Sequence, residues 1–511
     1  MDRKWWTLVA VCVATFMLLL DITVVNVALP DIQKDLDASF SSLQWVVDAY
    51  SLTLAAFLLT AGSFADRIGR RRIFSIGFAV FTFASFLCGI SGDATLLNLA
   101  RGLQGVGGAA MFATSLALIA QEFQGRERGT AIGAWGATIG GAVAVGPLVG
   151  GALTEGLGWE WIFFVNVPIG IGAIVLTTTK LANLKAPDPE PIDWPGLATF
   201  SLGLLALIFG LIRGNPDGWS SPQIVGSLAA AAVLLVAFFV VEHRQDHAML
   251  DLSLFRKPAF AGVSAVAFGL SAGMFSMFLY ITLYIQDVLG YSPLAAGVRF
   301  LPITLLSFFV APVAGKLSAR IPVRVLLGVG LGLVGVALLL MHGVTLGDDW
   351  TTLLAGFIVA GAGVGTVNPG IASTAIGVVS PVRAGMASGI NNTFRQVGIA
   401  TGVASLGAIF QSQVSSKLAE LAPKAPPGFA EAVSSGGAQA ALQATPSGSR
   451  AQLATAANQA FISGFNEILL VSAVVALVGA VTGFALVRSR DFVTEHNGQQ
   501  PAAAEPVEVA A

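Results

Sequence analysis

Residues 62–74 read GSFADRIGRRRIF, and the interpretation of this stretch decides the fold. It lies between two apolar runs, 43–65 and 73–92, each long enough to cross a bilayer, which takes about 20 residues. A turn holding Asp66, Arg67, Arg70, Arg71 and Arg72 cannot lie in hydrocarbon, so it belongs at a membrane face. Short arginine-rich loops are retained on the cytoplasmic side, which puts this face inside. The stretch has an echo: residues 315–324 read GKLSARIPVR, setting Gly315, Arg320, Ile321 and Arg324 under Gly62, Arg67, Ile68 and Arg71. The offset of 253 positions is about half the chain. A membrane chain whose halves repeat in parallel points to a transporter with its site between the repeats.

The composition agrees. Of 511 residues, 55% are hydrophobic and 11% charged, with a mean hydropathy of +0.78, whereas soluble domains carry about 25% charged residues. A net charge of −2 argues against a nucleic-acid partner. Cys12 and Cys88 both fall in apolar runs, so no disulfide framework is expected. The first 20 residues have the basic start and apolar run of a secretory leader. The run continues through Asp21 to Leu29 without a small-x-small cleavage site, so it reads as a first span.

Apolar windows predict fourteen spans, at 5–29, 43–65, 73–92, 95–121, 129–153, 161–181, 194–213, 224–242, 259–284, 293–315, 324–343, 351–377, 384–410 and 461–486. With the N-terminus inside, nineteen of the 27 Lys and Arg fall in cytoplasmic segments, and only Lys34 and Arg213 in short outer loops. Both termini are therefore expected in the cytoplasm of a plasma-membrane protein. A proline-rich turn at 186–195 (APDPEPIDWP) and a polar loop at 243–258 separate three parts. These are an N-terminal six-helix bundle (1–185), a two-helix insert with linkers (186–258) and a C-terminal six-helix bundle (259–490). A tail at 491–511 reads as disordered. Segment 411–460, rich in Ala, Ser, Gln, Gly and Pro, is expected to be a mobile outer loop with one short helix near 430–442.

Charges inside spans are costly and mark pathways. Asp21 lies in LLLDITVVNVALP with Asn26, Asp48 in WVVDAY, and Arg101 in LARGLQGVGGAAM with Gln104. The two acids read either as proton acceptors, which burial makes titratable near neutrality, or as members of fixed ion pairs or interfacial caps. Asp21, lacking a permanent partner, is the first choice for proton coupling. The fifth span carries Gly140, Gly141, Gly146, Pro147, Gly150 and Gly151 in GGAVAVGPLVGG; small residues let helices approach and Pro147 bends the helix. The thirteenth span holds Asn391, Asn392, Arg395 and Gln396, a polar set suited to lining a cavity. Arg128 and Arg383 precede these two spans, 255 positions apart. Gly330, Gly332 and Gly335 match a dinucleotide fingerprint but lie inside a span with no strand before them. Gly315-Lys316 lacks the rest of a phosphate loop, and His243 with His247 lacks a third metal ligand. No nucleotide, metal or other cofactor is therefore expected.

These motifs together resemble a known family. GSFADRIGRRR looks like the loop 2–3 signature of the major facilitator superfamily. DITVVNVALP, RGLQGVGGA, GGAVAVGPLVGG and WEWIFFVNVPIG (159–170) are similar to motifs of its fourteen-span drug:proton antiporters. The resemblance implies an all-α membrane protein with the major facilitator fold, 14 transmembrane helices arranged as two six-helix bundles plus a two-helix insert. It implies alternating access driven by the proton gradient, with Asp21, Asp48 and Arg101 in proton transfer. Gly62, Asp66, Arg67, Gly69, Arg70 and Arg71 would form a cytoplasmic latch, and Gly146, Pro147, Gly150 and Gly151 would set the antiport direction. Asn26, Gln104, Asn391, Asn392, Arg395 and Gln396 would line the cavity for a small amphipathic molecule carried by a monomer. Relatives that take dicationic drugs carry acids in helices 10 and 13; here helix 10 has Arg299 and helix 13 has none. The competing expectation is a uniporter or importer of a metabolite or lipid precursor.

Overall fold

The computed structural model describes residues 2–38, 40–182, 192–245, 249–318, 320–380 and 383–492. Among these residues every regular element is helical. The first half comprises α1 (Arg3–Asp35), α2 (Phe40–Ile68), α3 (Arg70–Gly89), α4 (Ala94–Glu122), α5 (Gly125–Leu157) and α6 (Asn166–Lys180). Next come α7 (Trp194–Asp217) and α8 (Pro222–Arg244). The second half comprises α9 (Pro258–Val288), α10 (Leu301–Leu317), α11 (Val323–Met341), α12 (Leu354–Gly377), α13 (Ala384–Leu421) and α14 (Ser447–Leu486). Among the described residues, 12 helices are long and apolar enough to cross a membrane, and Leu148–Leu157 within α5 and Leu301–Leu317 are shorter apolar stretches. The chain is a multi-pass membrane protein.

Local sequence sets the breaks. Gly69 joins α2 to α3 at φ 116, a conformation that carries little penalty only for glycine. Asp93 starts α4 by accepting the N–H groups of Thr95 and Leu96 at 2.8 and 2.9 Å. Asp193 does the same for α7, accepting from Gly196 at 2.8 Å. The span expected over 293–315 is instead two helices, Pro293–Arg299 and Leu301–Leu317. Pro302 lacks an N–H and suits the first turn of a helix, and it sits in the first turn of the second one. α9 widens into π-helical turns at Ser271–Phe275 and Tyr284–Val288.

Two other expectations are corrected. Segment 411–460 is largely helical rather than a loop with one short helix. α13 runs on to Leu421, α14 begins at Ser447, and Phe429–Ser434 and Ala438–Gln443 lie between them. The physical reason is burial: Val414, Leu418, Phe429, Val433, Ala457 and Ala460 all pack into the core of the second half. Arg213 lies not in an outer loop but inside α7, buried and paired with Asp217 at 2.7 Å. His247, most of the 186–195 turn and the tail beyond Phe492 lie outside the described residues.

Each half has its own core. Phe74, Phe78, Phe81, Phe112 and Trp135 fill the first. Phe260, Tyr284, Phe357, Phe461 and Phe465 fill the second, with Tyr284 stacked on Phe465 at 5.0 Å. The halves meet along two seams. On one, α2 crosses α13; on the other, α5 crosses α10. Both crossings are backbone against backbone. A side chain on Gly62 would strike the Gly385 carbonyl, and one on Gly129 or Gly315 would strike the other's carbonyl. A side chain on Gly389 would likewise come within 2.8 Å of Leu58 O, and one on Gly133 within 2.7 Å of Pro312 Cα. Gly62 and Gly315, which the sequence repeat aligns, thus perform equivalent packing on opposite seams. α7 lies across the first seam. Its Ser201 shares a 2.9 Å hydrogen bond with Thr60 and its Arg213 donates to Gln44 at 2.8 Å, while Asn215 reaches the Ala404 carbonyl of α13 at 2.9 Å.

Candidate transport site

At the arginine-rich end, Asp66 is the hub. One carboxylate oxygen accepts from the Arg70 guanidinium at 2.9 and 3.1 Å and from the N–H of Gly385 at 3.0 Å. The other accepts from the N–H of Met386 at 2.8 Å. Those two amides are the open N-terminus of α13, where unmatched donors and the helix dipole favour an anion. Arg70 is held by the Ala117 carbonyl of α4 at 3.4 Å, and Arg71 by the Leu181 carbonyl after α6 at 3.1 Å. The latch residues are thus brought together, and they join the two halves. Arg67 is half-buried beside them, within electrostatic reach of Glu242.

The second cluster is the deepest charge in the first half. Asp21 and Arg101 are each 1% exposed and form an ion pair. Gln104 donates to Asp21 and to Ser85, both at 2.8 Å, and accepts from Arg101 at 2.6 Å. Asn166 adds a 3.4 Å bond to Asp21. Arg101 also donates to the Val46 carbonyl at 2.9 Å and lies 4.3 Å over the Tyr50 ring. This corrects the expectation that Asp21 lacks a partner, because α4 brings Arg101 to it. It also moves Gln104 from the cavity into the acid's hydrogen-bond shell. Leaving water is costly for both charges, and only close pairing with added hydrogen bonds compensates. Asp48 is half-buried on α2, two positions from both Val46 and Tyr50, which turns it to a different side of the helix from these Arg101 contacts.

Helix α5 presses its glycines onto α1 next to Asp21. A side chain on Gly146 would collide with Thr23, and one on Gly150 would lie 3.1 Å from Val24 Cα. Gly151 faces open space, so it does not share this packing role. The side chains of Asn26 and Pro147 lie outside the described ones.

On α13, Asn391, Asn392 and Arg395 are buried and Gln396 is half-buried. Arg395 donates to Asn368 of α12 at 2.7 Å. Asn368 and Asn166 escaped sequence reasoning, although each is a lone amide within an apolar run, VGTVNPG and FFVNVPIG. Asp193 and Glu242, buried together at one end of α7 and α8, were also missed.

A family model for the Major Facilitator Superfamily matches residues 11–403. The chain belongs to the Major Facilitator Superfamily. Among superfamily relatives, the multidrug resistance protein Stp of Mycobacterium tuberculosis is 36% identical over 417 residues, covering 81% of this chain and 77% of that one. The tetracenomycin C resistance and export protein of Streptomyces glaucescens is 34% identical over 491 residues, covering 94% and 90%. The puromycin resistance protein pur8 of Streptomyces alboniger is 37% identical, covering 82% and 84%. The fold matches that of the human organic anion transporter MFSD10 (TETRAN), with a TM-score of 0.62, 13% identity and coverage of 94% and 100%. The superfamily chain described here is a transporter.

Proposed function

We propose that the chain is a proton-coupled efflux transporter of small amphipathic molecules, working by alternating access. The observation that carries this reading is the buried Asp21–Arg101–Gln104 cluster. An acid that can hold either a proton or a guanidinium, but not both at full strength, couples protonation to helix position. With Asp21 deprotonated, Arg101 ties α1 to α4 and, through Val46, to α2. Protonation from outside weakens that tie and releases α1 against the glycines of α5. Asp48 is the alternative acceptor. The substrate class rests on relatives named for multidrug, tetracenomycin C and puromycin resistance.

The reading includes fourteen spans. α5 has 33 residues, about 50 Å at 1.5 Å per residue, and α10 with the preceding Pro293–Arg299 turn is long enough as well. The two six-helix halves carry α7 and α8 as an insert, the Arg-rich loops and both termini face the cytoplasm, and the protein acts as a monomer without a cofactor. Asp66 latches the cytoplasmic end shut while the site faces outward.

A drug and dye susceptibility panel, with and without expression and repeated with a protonophore, tests the function. Raised resistance that the protonophore abolishes is expected. Unchanged susceptibility across the panel, with uptake of a metabolite instead, would favour the importer.

A further inference from the structure

The two halves treat their buried charges differently. Arg101 in the first half has a carboxylate, whereas Arg395 in the second has none: among the described residues no acid pairs with it. Arg395 is 7% exposed and makes one side-chain bond, to the Asn368 amide oxygen, and its Nε has no partner. The neighbouring amide nitrogens of Asn391 and Asn392, the Asn392 amide oxygen and the Ser388 hydroxyl also lack partners. Positions 388, 391, 392 and 395 fall on one helical face, because residues three and four apart are neighbours. Arg395 lies eleven residues into α13, about 16 Å along it, close to the middle of a roughly 30 Å hydrocarbon layer. The helix is fixed there by Gly389 against Leu58 of α2 and Gly398 against Phe268 and Ser271 of α9, so this face borders both halves.

A guanidinium out of water without a counter-charge is strongly unfavourable, and unpartnered N–H donors on one helical face call for an acceptor. We propose that Arg395, with Asn391 and Asn392, forms a subsite for one negatively charged group of the substrate, a carboxylate or an ionised phenol. This rests on the efflux reading for its place in a transport cycle, but the subsite is a binding property and is tested as one. The guanidinium fork presents paired donors to a carboxylate, and Asn368 holds the fork in place. The preferred cargo therefore carries a negative group, and a dication is disfavoured.

Purified full-length protein in nanodiscs, titrated with fluorescein and read by polarisation, tests the subsite. Competitors are 2-naphthoate, its methyl ester and the cation rhodamine 123. Naphthoate is expected to displace fluorescein while the ester does not. Arg395→Gln should weaken fluorescein binding about tenfold or more, and Arg395→Lys, which keeps the charge without the fork, should lie between. The subsite is overturned if the wild type binds neither anion, if Arg395→Gln binds them unchanged, or if the ester competes as well as the acid. An equal loss of rhodamine 123 binding in Arg395→Gln overturns it too, since that marks general misfolding rather than a lost anion contact. Dye extrusion from cells is measured separately: normal binding without extrusion counts against efflux and leaves the subsite standing.

Discussion

Asp66 accepts the backbone N–H of Met386 at 2.8 Å, across 320 positions of sequence. The same carboxylate holds Arg70 at the start of α3. One side chain thus ties the end of α2 to the start of α13, and the tie is made to backbone that cannot be traded for another rotamer. A charged acceptor on a helix N-terminus contributes about 1–3 kcal/mol when partly buried, enough to set a conformational balance by itself.

Asp66→Asn keeps the shape and removes the charge. The variant should reach the membrane at wild-type levels and extrude dye about tenfold more slowly, because the closed form at this end loses its advantage. Extrusion at the wild-type rate would reduce the loop to a topology signal.

Gly385→Leu attacks the same closure by volume. The side chain would meet the Gly62 carbonyl 2.6 Å away, and backbone cannot give way. A cysteine at Ser388, which is buried, should then react with an impermeant maleimide from the arginine-rich side several times faster than in the Gly385 background. Equal labelling rates would mean that the crossing does not gate this end.

Asp21→Asn leaves Arg101 buried without its counter-charge, a change that costs about 3–5 kcal/mol in comparable pairs. Proton-driven transport should vanish in vesicles with an imposed pH gradient, while substrate binding persists. Asp21→Glu should retain part of the activity. Asp48→Asn, tested in parallel, should remain coupled; if the two outcomes are reversed, coupling belongs to Asp48.

The pair formed by Asp251 and Arg383 supplies a control on pH. Partial burial pushes the Asp251 carboxyl up, but the Ser253 hydroxyl and N–H and the Arg383 guanidinium outweigh it, and the carboxyl ends below the ordinary range. A depressed acid contributes stability above its unfolded pKa, about 3.9, and loses it only as pH falls through the still lower folded value. The pair is therefore intact throughout about pH 5–8. The transport–pH profile of Asp251→Asn should superimpose on that of the wild type in this window. A displaced profile would bring this junction into the proton pathway.

Orientation is checked by cysteines at Ser435 and Arg490, both exposed. On intact cells an impermeant thiol reagent should label the first and spare the second. Equal labelling would break the proposed topology.

The sequence made the fold legible where one residue type has only one physical home. An arginine-rich turn between apolar runs has to be a membrane face, and the repeat of Gly62 at Gly315 marked two parallel halves, though not the helix crossings that these glycines make. It was silent about pairing. Asp21 and Arg101 stood out as costly charges, but their 80-position separation hid the fact that each is the other's partner. Composition misled at 411–460, since alanine-rich stretches with scattered glutamine read as loop when their helical face is judged without its neighbours. Asn368 and Asn166 left only the weak signal of a single amide among apolar residues, and their importance lies in which charge they touch.

The placement of α7 has a further result for how the protein faces the bilayer. It roofs the seam between α2 and α13, bonded to both halves, whereas among the described residues the seam between α5 and α10 has no such cover, and Phe308, Phe309 and Val313 of α10 are exposed along its length. The two flanks therefore offer the bilayer different surfaces, a bonded helix on one and bare apolar side chains on the other. The pseudo-symmetry of the two halves is broken there, and the molecule has a front and a back within the membrane plane.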